Sequence, residues 1–512
     1  MKNLRGIYTL LFGVAVLLFF GLAYPHHLHY QEQFQLFLFD SNYVWDVVRL
    51  PGGVADLLGR FCTQFFLYAW VGALIIALLL SAIQLLVLRI FSPLGGVWDG
   101  ASFIPSFLLW LFLLDENALL GGVWAVLLTL IASCLFALVP ERPNDQSPKQ
   151  PTPWLRLILL FAAIPILYWI VGPVCVVFFL LQIPRHKSSI WYYGAIVVLA
   201  IMIVILSTHL PVSPRSLWTG IHYYRYPTVI PVLLWSAALS VLVLALIARF
   251  CNKPATSKSQ NLKTLILCAL CFLCGLCAVW KYSNLKAEKV MQYDFMARHQ
   301  QWNRILATIN AEKPNNQIGV TVQNLALAMR GMLLSHMSEY NQNGIAGLLP
   351  DVKEDATSPM PTAEAFYQLG MINVAQRTVF EAQEAILDFQ KSGRCYKRLA
   401  QTNLINGNYE VARKYLTALQ KTLFYSDWAN ETLQLLGDEE AIAKHPEYGR
   451  LRKSVYKDNA FFSDHVTPDM LESLYFSNKD NSLAYQYLVA YYILTNDRER
   501  YNKLLLNTSA KQ

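Results

Sequence analysis

Four carboxylates and three cationic side chains stand where apolar runs of this chain end. Their types suit a proton acceptor placed beside a phosphate grip. Glu32 and Asp40 lie in a long polar stretch, residues 25–65, which also holds Asp46 and Asp56. Asp115 and Glu116 form a tight polar turn with Asn117 between two short apolar runs. A carboxylate held beside a hydroxyl can take its proton while that oxygen attacks an electrophilic carbon. Arg215, His222 and Arg225 fall in one aromatic-rich loop, Ser213-Pro214-Arg215 through His222-Tyr223-Tyr224-Arg225-Tyr226. Guanidinium groups there can hold phosphate oxygens in pairs. Acids confined at a membrane boundary are costly and hence functional candidates. The plainer alternative is that they only keep loops at the polar interface.

Other chemistry-bearing residues point to less. His26-His27-x-His29 has no cysteine or close carboxylate to complete a zinc set, so interfacial histidines are expected and no metal is assigned. Pro51-Gly52-Gly53 lacks the Lys-Ser/Thr of a phosphate loop and reads as a turn. Cys268, Cys271, Cys274 and Cys277 mimic an iron–sulfur run. On a helix each step of three turns the stripe by about −60°, so the first and last face opposite ways and cannot share a cluster. The pattern implies no particular cofactor.

The elements that must position these groups divide at about residue 283. Residues 1–283 contain 17 of the 42 Lys and Arg but only 9 of the 34 Asp and Glu, so the whole net charge of +8 lies there. The remainder is neutral, which argues against nucleic acid as a partner. Apolar runs predict about nine membrane spans, near 7–24, 66–89, 101–114, 118–139, 154–171, 173–184, 190–209, 229–249 and 264–281. The pair 154–171 and 173–184 is expected as a hairpin broken at Gly172-Pro173, with one long kinked helix as the alternative. The first run has no small-x-small cleavage site near Tyr24-Pro25 and reads as an anchor. Lys2, Arg5, Arg89, Arg142, Lys149, Arg156, Arg185, Lys187, Arg249, Lys253, Lys258 and Lys263 would then face the cytoplasm. Only Arg49, Arg60, Arg215, Arg225 and Lys281 would face outward. That bias places the N-terminus inside and the C-terminal half in the periplasm.

Residues 284–512 are expected to form a soluble helical-repeat domain. Apolar pairs recur at three- and four-residue spacing, and Cys395 cannot form a disulfide within it. The clearest repeats lie within 363–425, after a Gly-, Pro- and Asn-rich loop at 341–361. Leu399-Ala400 … Gly407-x-Tyr409-x-x-Ala412-x-x-x-Leu416 resembles a tetratricopeptide repeat, with Gly407 at the turn and Ala412 where the helices touch. Stacked pairs of this kind commonly bind a protein or peptide in their groove. The fold class expected is therefore all-α, a polytopic membrane domain followed by an extracytoplasmic repeat domain.

Leu50-Pro-Gly-Gly-Val, Asn341-Gln-Asn-Gly, Leu404-Ile-Asn-Gly-x-Tyr-Glu-Val-Ala-Arg-Lys-Tyr-Leu and His445-Pro-Glu-Tyr-Gly-Arg resemble an uncharacterised family of polytopic membrane proteins of Bacteroides-type bacteria. That resemblance implies an inner-membrane protein with a periplasmic tail and no assigned activity. The layout of the membrane half also resembles C-type glycosyltransferases, which use polyprenyl-phosphate-linked sugars. By that resemblance Glu32 or Asp40 would match the acid of the first outer loop, and Asp115 or Glu116 the second acid. Arg215, His222 and Arg225 would hold the lipid phosphate. Glu32-Gln33 departs from the aspartate-glutamate pair of the protein mannosyltransferases. The competing expectation, from a different class, is a non-catalytic scaffold whose tail docks partners in envelope assembly.

Overall fold

The computed structural model describes residues 2–91, 97–139, 153–183, 190–250, 258–351, 357–387, 390–456 and 466–509. Arg142, Lys149, Arg185, Lys187 and Lys253, which vote on topology, lie outside them, as do the side chains of Arg249, Lys258 and Lys263. Among the described residues the regular structure is helical, with one isolated bridge between Ala118 and Tyr224. The chain folds as two compact units. One comprises Met1–Glu32 and Phe39–Leu285, the other Gln33–Leu38 and Lys286–Gln512.

The first unit corrects the span count. Among the described residues four helices are long and apolar enough to cross a membrane: Arg5–Ala23, Ala69–Phe91, Trp154–Leu181 and Ile190–His209. A fifth is added if Ile266–Tyr282 is counted together with the helix after it. Nine was too many because apolar composition does not report how far a helix runs in one direction. Ile104–Phe112 has 9 residues and Leu120–Phe136 has 17. A crossing needs roughly 20 residues at about 1.5 Å each. The long helices turn large aliphatic side chains outward, Leu10, Leu78 and Ile190 among them, as lipid-facing surfaces do. Their inner faces pack aromatics: Phe12 sits edge-on to Phe107 and Trp110, and Gly275 lets the Lys258–Tyr282 helix rest against the Phe107 ring. Cys268 is buried and Cys277 exposed, so the cysteine stripe does wind around its helix.

Trp154–Leu181 counts as one 28-residue candidate by length, yet its backbone turns at Gly172, whose φ is +74°. That left-handed conformation ends one helix, and Pro173 opens the next. The geometry on either side is that of a return. Arg156, early in the first segment, lies over the Phe136 ring, and Phe178, in the second, packs edge-on to the same ring. The turn between them is held elsewhere. Tyr223 donates its hydroxyl to the Val171 carbonyl and accepts from the Val174 amide at 3.4 Å. Gly52, at φ +79°, donates its N–H to the Tyr168 and Trp169 carbonyls at 3.1 and 3.0 Å. Pro51-Gly52-Gly53 is thus a turn that clasps a broken helix.

The second unit stacks antiparallel helical hairpins. Gly393–Ile405 and Tyr409–Gln420 are joined through Gly407 at φ +80°, and Ala412 is fully buried between them. Pro359–Leu369 and Ile372–Glu384 are joined through Gly370 at φ +94°. Trp302–Glu312 with Gln317–Met329, and Pro468–Ser477 with Ser482–Thr495, repeat the plan without a glycine at the turn. A core of Leu404, Ala412, Leu451, Leu471 and Tyr487 runs through the stack.

Three outcomes follow from this packing. A Cβ on Gly59 would stand 2.4 Å from the Gly121 amide nitrogen, so Gly59→Leu should lower the melting temperature of the detergent-solubilised protein sharply. The cost expected for such overpacking is about 1–3 kcal/mol or more. Ala412→Trp should do the same through the second unit, and an unchanged melting curve in either variant would refute the packing. The third concerns His27, which burial pushes down to about 4 against a weaker opposing pull from the Leu113 backbone and Asp115. Because the folded state resists protonation, its contribution is present above about pH 6.5 and is lost progressively as pH falls toward 4. The loss is on the order of 3 kcal/mol. Melting curves between pH 7 and 4.5 should show the decline, and His27→Gln should flatten it.

Candidate functional site

The polar residues singled out by the sequence converge at one end of the first unit, where three stretches of chain meet. The Pro25–Glu32 helix reaches the Asp115 turn through Gln31, which donates to the Ala118 carbonyl at 3.1 Å and the Asp115 carbonyl at 3.3 Å. The turn pairs with the aromatic loop as a scrap of antiparallel ladder. Arg225 N–H donates to Asn117 O at 2.9 Å, and Leu119 N–H to Tyr223 O at 3.3 Å. Side chains then lock the register. Asp115 accepts the Tyr224 hydroxyl at 2.8 Å on one oxygen, and the Asn117 amide N–H at 2.9 Å on the other. The Arg225 guanidinium lies over the Tyr226 ring and donates to the Tyr30 hydroxyl and the Asn117 side-chain oxygen, both at 3.4 Å. Those two bonds are long and hence weak.

Beside this sits a buried ionic cluster. On the Gly53–Thr63 helix, Asp56 and Arg60 are one turn apart and pair through Asp56 Oδ2, at 2.8 Å to Arg60 Nη2 and 2.9 Å to Nε. His222 Nε2 approaches the same oxygen at 3.8 Å. Asp56 Oδ1 is buried without a hydrogen-bond partner. Burial alone would lower the Arg60 pKa, but Asp56 and Tyr43 raise it above the usual range, so the guanidinium stays charged. The cluster is possible because helices cross without side chains between them. A Cβ on Gly121 would meet the Asp56 Cα and the His222 carbonyl, both at 3.1 Å.

The structure therefore brings the Asp115 turn and Arg225 together, with Glu116 half-buried beside Asp115, and sets His222 against Asp56. Glu32 is buried at the end of the helix that supplies Tyr30 and Gln31. Two candidates go elsewhere. Asp40 caps the Ser41–Val48 helix, accepting from the Asn42 and Tyr43 amides at 2.9 and 3.3 Å. Arg215 is exposed on the Pro214–Thr219 helix and makes none of the cluster's contacts. The Asp56–Arg60 pair is a unit whose four-residue spacing is a signal in the sequence. Tyr30, Asn117 and Tyr224 gave none. The histidine triplet lies on a helix and is buried, and His29 Nδ1 is 3.1 Å from the Phe66 carbonyl. Among the described residues no three His, Cys, Asp or Glu gather as a metal-ligand set.

No curated protein and no solved structure matches the chain. One family model does, along residues 1–512. The chain belongs to DUF6057, a family of unknown function.

Proposed function

We propose that the protein is an inner-membrane enzyme of the cell envelope that moves a sugar from a polyprenyl-phosphate donor to an acceptor on the periplasmic side. One observation carries the reading. The three polar stretches expected on the outer face are in mutual contact, and they bring a carboxylate, Asp115, and a guanidinium, Arg225, onto the same pair of loops. In this chemistry the acceptor hydroxyl oxygen bonds to the anomeric carbon as the bond from that carbon to the lipid phosphate breaks. The phosphate leaves with the electron pair, and the hydroxyl proton passes to a carboxylate. Asp115 is the base, oriented by Tyr224 and Asn117, with Glu32 the alternative from the neighbouring helix. Arg225 gives up its bonds to Tyr30 and Asn117 for phosphate oxygens, which a guanidinium grips in pairs. His222 and Arg60 lie next to it around Asp56. In this arrangement the N-terminus is cytoplasmic and the second unit is periplasmic.

The second reading, a non-catalytic scaffold, draws on the second unit. Its glycine-jointed hairpins, with φ +80° at Gly407 and Ala412 wholly buried, suit tetratricopeptide-like repeats that dock a protein or peptide.

One set of variants separates the two. Asp115→Asn should leave the protein at normal abundance in the membrane while lowering sugar transfer by about 10²–10⁴-fold, the usual contribution of a general base. Arg225→Ala should weaken donor binding. The combined variant Glu32→Gln, Asp40→Asn, Asp115→Asn, Glu116→Gln keeps every side-chain size, and asparagine still caps the Ser41 helix. Cell-surface glycans unchanged in that variant, at normal protein level, would end the enzyme reading in favour of the scaffold.

A further inference from the structure

Within the second unit, four helices direct charged and aromatic side chains to one face. On Gly393–Ile405, Arg394, Lys397 and Arg398 are spaced three and four apart and share a stripe. Arg394 is spoken for: it grips both oxygens of Asp294 at 2.6 and 2.7 Å and the Gln33 side-chain oxygen at 3.0 Å. Arg398 is only half engaged. Its Nη2 donates to Glu364 at 2.5 Å and its plane lies 3.6 Å from the centre of the Tyr367 ring. Its Nη1 is buried without a hydrogen-bond partner. Lys397, half-buried one residue earlier, has no carboxylate of the described residues within ion-pair distance and lies 4.8 Å from the Trp428 ring. Arg450 arrives from Pro446–Ser454 and donates to the Gln368 side chain at 2.9 Å.

Charge bookkeeping across this face leaves a surplus. Arg394 and Asp294 cancel, and so do Arg398 and Glu364. Lys397 and Arg450 then share only Glu447, which feels both of them and Arg398. The ammonium of Lys397 bears the cost: burial, and then the neighbouring Arg398 and Arg298, push it below its usual range. An unmet guanidinium N–H, an ammonium with only the shared charge of Glu447 and Glu364 nearby, and the rings of Tyr367 and Trp428 form a complement to a multiply charged oxyanion. A monovalent carboxylate would leave part of the surplus unmet.

We propose that this face of the second unit is a binding site for a phosphate group, with Arg398 Nη1 and Lys397 as its donors and Tyr367 and Trp428 flanking it. The site is independent of the sugar-transfer reading and lies in the other unit.

The test uses the full-length protein in detergent, titrated calorimetrically with inorganic phosphate, with glucose 1-phosphate, and with a short peptide ending in a free carboxylate. Phosphate and the phosphomonoester should bind. Lys397→Gln, which removes only the unpaired ammonium, should weaken both by about tenfold or more. Arg398→Gln alone would strand Glu364, so it is paired with Glu364→Gln; this double variant should also lose affinity while melting like the parent. Arg225→Ala should keep this binding, which separates the site from the one in the membrane unit. Phosphate binding unchanged in both second-unit variants, or lost in Arg225→Ala alone, would overturn the proposal. So would binding of the peptide carboxylate without binding of phosphate.

Discussion

At Gly59 a side chain's first carbon would stand 2.4 Å from the amide nitrogen of Gly121 and 2.7 Å from its Cα, a distance no real Cβ tolerates. The two backbones touch, and that touch places the rest of the polar end. From the same contact, Asp56 lies under Gly121, the His222 carbonyl lies across it, and the Tyr223 backbone passes over Gly122. In a lipid-exposed bundle, where apolar side chains gain little by leaving the hydrocarbon, such close approaches between small residues are a main source of helix association. An ionic cluster between helices needs this proximity, because an Asp–Arg pair held further apart in a dry site would not repay its desolvation.

Tyr223 carries the arrangement into the broken helix. A helix that stops at Val171 leaves carbonyls without intrahelical donors, and inside a low-dielectric bundle each unmet group is expensive. The phenol of Tyr223 answers one of them, and the Gly52 amide answers two more from another part of the chain. The same loop carries His222 to Asp56 and Arg225 to Asn117. Whatever the polar end does, it is braced by the groups that make a helix break tolerable.

Much of this was legible in the residues. The apolar runs, the break at Gly172-Pro173, the turn at Gly52 and the glycine joint at Gly407 all follow from local chemistry, and the structure has each where local chemistry puts it. The winding of the cysteine stripe was simple helical geometry. Span number was not legible, since a stretch such as 101–139 reads as apolar whether it crosses, dips or folds back. Asp40 shows the limit at a single residue. Asp-Ser-Asn-Tyr is a good helix start, and an acid in a promising loop was also an ordinary cap. Pairings such as Tyr224 with Asp115, or His222 with Asp56, join residues more than a hundred apart, and a single sequence has no means of reporting them.

Inside the membrane unit, Thr9 donates to the Gln84 side chain at 2.7 Å, and Gln84 donates to Ser102 at 2.8 Å, all three buried. This relay has a consequence for how the chain is made. Gln84 lies in the Ala69–Phe91 helix, which leaves the ribosome after Arg5–Ala23, and its amide cannot stay unmet in hydrocarbon. Its first partner, Thr9, is already in place by then. Its second, Ser102, follows 18 residues behind, and at about 5–20 residues per second it arrives roughly one to four seconds later. During that interval the amide has one partner instead of two, while Gly13 against Ser81 and Gly21 against Trp70 pack the first helix on the second. The order of synthesis thus makes the first helix a template for the second, and the chain closes its polar relay before the loop bearing Asp115 has emerged.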